Sequence, residues 1–157
     1  ILDWTSRWYV DKQRFVDTLV EDNQIRKYLK KRLYSAGIPK IEIERTFEPK
    51  TGKPKVKINV FCSKPGMVIG RGGTEIDKIR MDVEKMIGKS VNLNIVEIKN
   101  ADTNAQLVAE NVAQQLEKRT AFHRAINQAI GRAIRFGPKA TKIQSGDRLH
   151  GPDLARI

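Results

Sequence analysis

Four consecutive residues, Gly70-Arg71-Gly72-Gly73, have the spacing with most chemical content: outer glycines three apart and a guanidinium between them. Glycine has no Cβ, so at both ends of such a loop the main chain can lie close to a bulky anion. The helical pattern that begins at Thr74 aims free N–H groups at the same place. Arg71 adds a planar fork that suits phosphate. Three phosphate-binding loops fail on the neighbouring residues. A P-loop ends in Gly-Lys-Ser/Thr, whereas Thr74 follows Gly73 directly. A dinucleotide fingerprint needs glycine at position 75, which is Glu75. A kinase loop needs the rest of the kinase signature, which the chain lacks. On four residues alone, an ordinary glycine turn between helices stays open.

Charge narrows the choice. There are 30 Lys+Arg against 18 Asp+Glu, a net of +12, in a chain whose 39% hydrophobic residues can build a core. That balance points to a polyanion, and nucleic acid is the commonest one; a merely soluble basic protein is the plain alternative. Seven bases lie between 118 and 142 (Lys118, Arg119, Arg124, Arg132, Arg135, Lys139 and Lys142) with no acid among them. A solvated face normally mixes signs, so Arg124, Arg132 and Arg135, which share a helix face with Gln128, are expected to meet phosphate. A second cluster, Arg26, Lys27, Lys30, Lys31 and Arg32, has Asp17 and Asp22 nearby as helix partners. It divides evenly between an RNA surface and internal ion pairing.

No catalytic constellation accompanies these features. The serines (Ser6, Ser35, Ser63, Ser90 and Ser145) occupy no nucleophile elbow. His123 and His150 are far apart and read as surface or RNA-facing side chains rather than zinc ligands. The single cysteine, Cys62, excludes an internal disulfide and a Cys-rich metal site; it is expected in the core. No enzyme activity, cofactor or metal is therefore expected. No run of eighteen apolar residues exists to span a membrane, and the first residues show no signal pattern.

These residues need elements to position them. Residues 11–36 carry apolar positions at helical spacing (Phe15, Val16, Leu19, Val20, Ile25, Leu29 and Leu33), with Asp22 a possible cap after a kink and Gly37 and Pro39 as the stop. Ile41, Ile43 and Phe47 alternate with polar residues, as do Val56, Ile58, Val60 and Cys62; a turn at Pro49, Gly52 and Pro54 joins two neighbouring strands. A short helix precedes the glycine loop. A helix from Thr74 follows it, with Asp77 set as in a capping box and a stripe of Ile76, Ile79, Val83 and Ile87. Val91, Leu93 and Ile95 predict a third strand. Residues 99–104 are polar and read as a boundary. Beyond it come two amphipathic helices, the second with Phe122, Ile126, Ile130 and Ile134 on its apolar face, and a strand starting within 140–144. Two helices and a strand seldom close a core, so this part is expected to be incomplete. Trp4, Trp8 and Tyr9 are expected to pin the N-terminal segment to the core.

In this context the loop fits the GXXG of a KH domain, which clamps a nucleic-acid backbone, with Val68, Ile69 and Ile76 flanking it as a groove for bases. The KH segment is of the prokaryotic type. Lys64-Pro65-Gly66-Met67-Val68-Ile69-Gly70-Arg71-Gly72-Gly73, Asn94-Ile95-Val96-Glu97-Ile98-Lys99, Leu107-Val108-Ala109-Glu110-Asn111, Gln115-Leu116-Glu117-Lys118-Arg119 and Asp153-Leu154-Ala155-Arg156 together resemble the bacterial small-subunit ribosomal protein three family over nearly the whole chain. The resemblance implies an α+β fold: a type II KH domain (helix-strand-strand-helix-helix-strand) in residues 1–99 and a partial second α+β domain in 104–157. It implies a structural constituent of the small ribosomal subunit that binds rRNA in the head and lines the channel through which mRNA enters. A stand-alone KH-domain RNA-binding regulator is the alternative. Implied partners are small-subunit rRNA, mRNA and neighbouring head proteins, with no membrane, in a bacterial cytoplasmic or organellar ribosome. The implied RNA-binding residues are Lys64, Val68, Ile69, Gly70, Arg71, Gly72, Gly73, Lys118, Arg119, Arg124, Arg132, Arg135, Lys139, Lys142 and Arg148. Family members carry a short arm before Trp4 and further strands after Arg156, so a chain trimmed at both ends is expected. Three departures stand out: His123 and Asn127 where the family has basic residues, Asp147-Arg148-Leu149-His150-Gly151 where it has a Gly-Gly run, and the longer strand connection 48–54.

Overall fold

The structure is a computed structural model that describes residues 3–148 and 155–156. The chain divides into two compact units, Ile1–Lys99 and Asn100–Ile157.

The first unit is a four-stranded sheet with helices over one face. Its elements are β1 (Ser6–Arg7), α1 (Lys12–Arg32), β2 (Lys40–Phe47), β3 (Pro54–Cys62), α2 (Pro65–Ile69), α3 (Thr74–Ile87) and β4 (Ser90–Glu97), and the strand order is β1-β2-β3-β4. β2 and β3 form the antiparallel hairpin, with Ile41 opposite Val60 and Ile43 opposite Ile58; β4 runs parallel to β3, with Val56 opposite Val91. A parallel neighbour requires a crossover, and that crossover contains α2, the glycine loop and α3. The period-two residues of β3 all fall on the buried face, where Ile25 and Leu29 of α1, Val68 of α2 and Ile79 and Val83 of α3 join them in one core cluster. Each fully buried aliphatic side chain contributes about 1.5–3 kcal/mol. Cys62 is buried in this core; burial raises its thiol pKa, and Glu97 nearby pushes in the same direction. Gly37 and Gly88 end their helical segments in the left-handed conformation, as helix stops do.

Several local expectations are corrected. Asp22 caps no second helix, because α1 is continuous from Lys12 to Arg32. Its carboxylate is instead fully buried. It accepts from Ser6 Oγ at 3.0 Å, Trp8 Nε1 at 2.6 Å, and Arg45 Nε and Nη2 at 3.1 and 2.6 Å. Arg45 also reaches Glu21 at 2.8 Å, and Lys89 meets the same carboxylate at 3.0 Å. Burial alone would raise the pKa of Glu21; the hydrogen bonds and charges of Lys89 and Arg45 outweigh it and hold the carboxyl below its ordinary value. Of the N-terminal aromatics only Trp8 pins the chain, whereas Trp4 and Tyr9 are exposed. Phe47 is exposed too, because it pairs with Pro54 in the last rung of the hairpin ladder. No capping box forms at Thr74: the cap is Gly73, and Thr74 Oγ1 donates to the Arg71 carbonyl.

The second unit contains α4 (Ala105–Glu117), α5 (Phe122–Arg135) and the short antiparallel pair β5 (Gly146–Asp147) and β6 (Ala155–Arg156). Asn104 caps α4 by accepting from the Gln106 and Leu107 N–H groups. Residues 140–144 form no strand; the pairing begins at Gly146. Ile134 is exposed rather than packed. Val108, Val112, Leu116, Ala133 and Ile143 line an open apolar groove of about 540 Å³. His150 and the 149–151 departure lie outside the described residues. Among the described residues no helix is long and apolar enough to cross a membrane, and no three His, Cys, Asp or Glu side chains gather as a metal site.

Removing the Asp22 carboxylate strands the largely buried Arg45 guanidinium beside Glu21 alone. Asp22→Ala is expected to cost about 3–5 kcal/mol, the range for breaking a buried pair, while Asp22→Leu with Arg45→Met is expected to cost clearly less. Urea unfolding of the three proteins checks this; a loss below about 1 kcal/mol for Asp22→Ala, the ordinary cost of a substitution, contradicts it.

Candidate nucleic-acid interface

The glycine loop lies between α2 and α3, and its shape comes from backbone angles that side chains resist. Gly70 has φ +70° and ψ −169°, a region essentially confined to glycine. A Cβ there would sit 2.7 Å from Glu75 Cγ. Gly72 and Gly73 follow in the left-handed conformation, at φ +63° and +78°. Around Gly72 a Cβ would meet nothing within 4 Å, so that side of the loop is open space. Arg71 and Gly72 are exposed, and the Arg71 side chain makes no ion pair among the described residues. Lys64, just before α2, is likewise exposed and unpaired. The free N–H groups of α3 lie at the end of the loop, as an anion site requires. Two acids share that first turn, Glu75 and Asp77. Glu75 is offset by Arg32 and Lys78, each 3.9 Å away.

Val68 is corrected. It is 0% exposed and packs in the sheet core, so it supports the loop from below and presents nothing to a base. Ile69 is partly exposed, and Ile76 lines a groove of about 400 Å³ that runs along α3. The groove's other wall is β4, through Val91, Asn92 and Leu93, with Asp77 and Arg80 on the α3 side. No local residue pattern points to that second wall or to Arg80. The alternation of Val91, Leu93 and Ile95 announced a strand, but only its parallel pairing with β3 brings it beside α3.

In the second unit, Lys118, Arg119, Arg124, Arg132, Arg135, Lys139 and Lys142 are all exposed, and none makes an ion pair among the described residues. Arg124, Gln128, Arg132 and Arg135 do share the outer face of α5, opposite buried Ile126 and Ala133. Arg148 is exposed but engaged within the chain. The His123 ring packs against Phe122 at a tilt of 37°, with ring centroids 4.1 Å apart.

Arg119 has a feature no sequence pattern disclosed: a left-handed backbone, φ +57°, unlike any other described residue that is not glycine. It closes α4, with its N–H on the Leu116 carbonyl at 3.0 Å and the Thr120 N–H on the Gln115 carbonyl at 3.1 Å. That motif ordinarily takes glycine, and an L-residue there is disfavoured by about 1 kcal/mol.

The loop, groove and sheet define the class: residues 24–103 match the family described as KH domain. Curated relatives extend the likeness to the second unit. The small ribosomal subunit protein uS3 of Clostridium novyi is 53% identical over 157 residues, covering 99% of this chain and 68% of the relative. That of Clostridium tetani is 51% identical with the same coverage, and that of Alkaliphilus oremlandii is 49% identical over 99% of this chain and 63% of the relative. The chain therefore belongs to the uS3 family, and is a KH-domain ribosomal protein rather than an enzyme.

Glycine would satisfy the α4 terminus without strain, so Arg119→Gly separates backbone from charge. The expected outcome is a thermal midpoint unchanged or higher, since relief of the left-handed strain is partly offset by the freedom glycine adds to the unfolded chain. RNA affinity should fall, with the log–log salt slope shallower by about 0.7–0.9, one phosphate contact. Paired thermal melts and salt-titrated binding measure both.

Proposed function

We propose that this chain is a structural constituent of the small ribosomal subunit, where it binds rRNA of the head, contacts neighbouring head proteins and lines the channel through which mRNA enters. The observation that carries this reading is the division of its cations. Arg26, Arg32, Arg45, Arg80 and Lys89 of the first unit bond within the fold, while the seven bases from Lys118 to Lys142 stand exposed without an ion pair among the described residues. Unpaired like charges repel one another in the free protein and gain most from a polyanion. Lys64, Ile69, Gly70, Arg71, Gly72 and Gly73 serve as the loop's contact to single-stranded RNA, on the close-approach geometry above. The seven bases with Arg148 grip phosphates. The setting is the bacterial ribosome. A stand-alone KH regulator has no observation in its favour, because the uS3 likeness runs through both units.

Two outcomes test it. The loop side of Gly72 is open and Asp tolerates a left-handed backbone, so Arg71→Asp with Gly72→Asp should keep the circular dichroism spectrum. Single-stranded RNA binding should weaken as the carboxylates repel phosphate; unchanged affinity means the loop is only a turn. For mRNA, the exposed α5 face offers Arg124 but His123 and Asn127 beside it. Subunits carrying His123→Arg and Asn127→Lys should translate through a stable hairpin faster, relative to an unstructured control, than subunits with the unaltered chain. An unmoved ratio removes these positions from any action on mRNA.

A further inference from the structure

The basic cluster of α1 is not consumed by the fold. The sequence offered Asp17 and Asp22 as its partners, but Asp22 is enclosed by Ser6, Trp8 and Arg45. Glu21 is held by Arg45 and Lys89. Arg32 turns away to Asp82 and Glu75 of α3. Arg26 donates to the Thr5 carbonyl and Ser6 Oγ, and Lys30 donates to the Ile38 carbonyl. What remains is Lys27 and Lys31, one helical turn apart, both exposed and without an ion pair among the described residues. Like charges at this spacing destabilise an isolated helix by a few tenths of a kcal/mol. The helix dipole accounts for bases in the last turn, where Lys31 lies; Lys27 sits before that turn, outside its reach. Beside the two lysines is the Tyr34 ring, 41% exposed. Lys30 Nζ lies 5.9 Å from its centroid. Arg26, Lys27, Lys30, Lys31 and Tyr34 together line one shallow concavity, with no acid in its lining among the described residues.

We propose that this face of α1 is a second RNA-contact surface, separate from the glycine loop: Lys27 and Lys31 take successive phosphates of an unpaired RNA segment and Tyr34 stacks one of its bases. Cation pairs interleaved with an aromatic ring are the arrangement that single-stranded nucleic acid selects. The held positions of Arg26 and Lys30 fix the concavity's walls, so little side-chain freedom is lost on binding. The inference rests on the RNA-binding function proposed above, and its test separates the two.

The full chain is titrated with a fluorescein-labelled RNA hairpin bearing an unpaired loop, across a salt series. Lys27→Glu with Lys31→Glu is compared with Lys50→Glu and Lys53→Glu, which make the same change in net charge on the exposed hairpin connection. The α1 pair should flatten the log–log salt slope by about 1.4, two single-strand contacts, and the control pair should change it by much less. Tyr34→Ala should weaken binding about five-fold or more, and Tyr34→Phe should not, because the ring and not the hydroxyl stacks. Lys27→Gln with Lys31→Gln provides the same reading should the reversed charges disturb the helix, and circular dichroism checks each protein. Equal effects of the α1 and control pairs, or a Tyr34→Ala protein that binds as the parent does, overturn the proposal. Failure of the parent chain itself to bind this RNA, or binding without salt dependence, overturns the proposed function instead.

Discussion

The first unit depends on one buried carboxylate. Asp22 has no solvent exposure, and an ion removed from water carries a penalty of several kcal/mol unless its lone pairs are met. Here four donors from three places meet it: Ser6 and Trp8 from β1 and the residue after it, and Arg45 from β2. The requirement orients those three places at once. It holds β1 beside β2, where the Ile43 N–H donates to the Thr5 carbonyl. It fixes α1 across the end of the sheet at which Arg45 takes the place of an apolar residue. Through Glu21 and Lys89 the same network reaches the turn that leads into β4. An apolar core of isoleucine and valine is tolerant of small rotations; a carboxylate with four directional bonds is not.

That rigidity is what the glycine loop borrows. The loop belongs to the crossover between the parallel strands β3 and β4, and its two flanking helices are anchored by Val68 and by Ile79 and Val83 in the sheet core. Between fixed ends, three left-sided φ values in four residues are the conformational solution, and only at Gly70 does a neighbour also forbid a Cβ. Gly70 therefore defines the loop's shape, while the bare Gly72 leaves room for something else to approach.

Much of this was legible in the residues. Alternation at 56–62 and 91–95, the stripe at 76–87 and the stops at Gly37 and Gly88 are local signals, and local signals decide which face of an element is apolar. What stayed hidden required distant parts of the chain to meet. Asp22 sits where a helix cap is plausible, and nothing in the neighbouring residues says that Arg45 lies opposite. Val68 stands in an apolar step next to a binding loop, and only the sheet below it decides that it faces inward. The same holds for Thr74, whose hydroxyl turned to the loop instead of to α3. The backbone of Arg119 is hidden for another reason: sequence patterns assign left-handed positions to glycine, so an arginine there gives no sign.

The exceptions to local rules are also where charge and fold separate. Some bases that the fold uses sit next to acids supplied by another element, as Arg45 does with Asp22 and Arg32 with Asp82. The seven bases from Lys118 to Lys142 stand in a stretch that itself holds no acid, and one of them, Arg119, occupies a backbone position that glycine would fill with less strain. Neither repulsion along α5 nor the left-handed Arg119 stabilises the free chain. Selection for folding alone would remove both, by placing a glutamate on the α5 face and a glycine after α4. Their presence together in one unit is what a polyanionic partner explains and solubility does not, since solubility is served equally well by a surface of mixed sign.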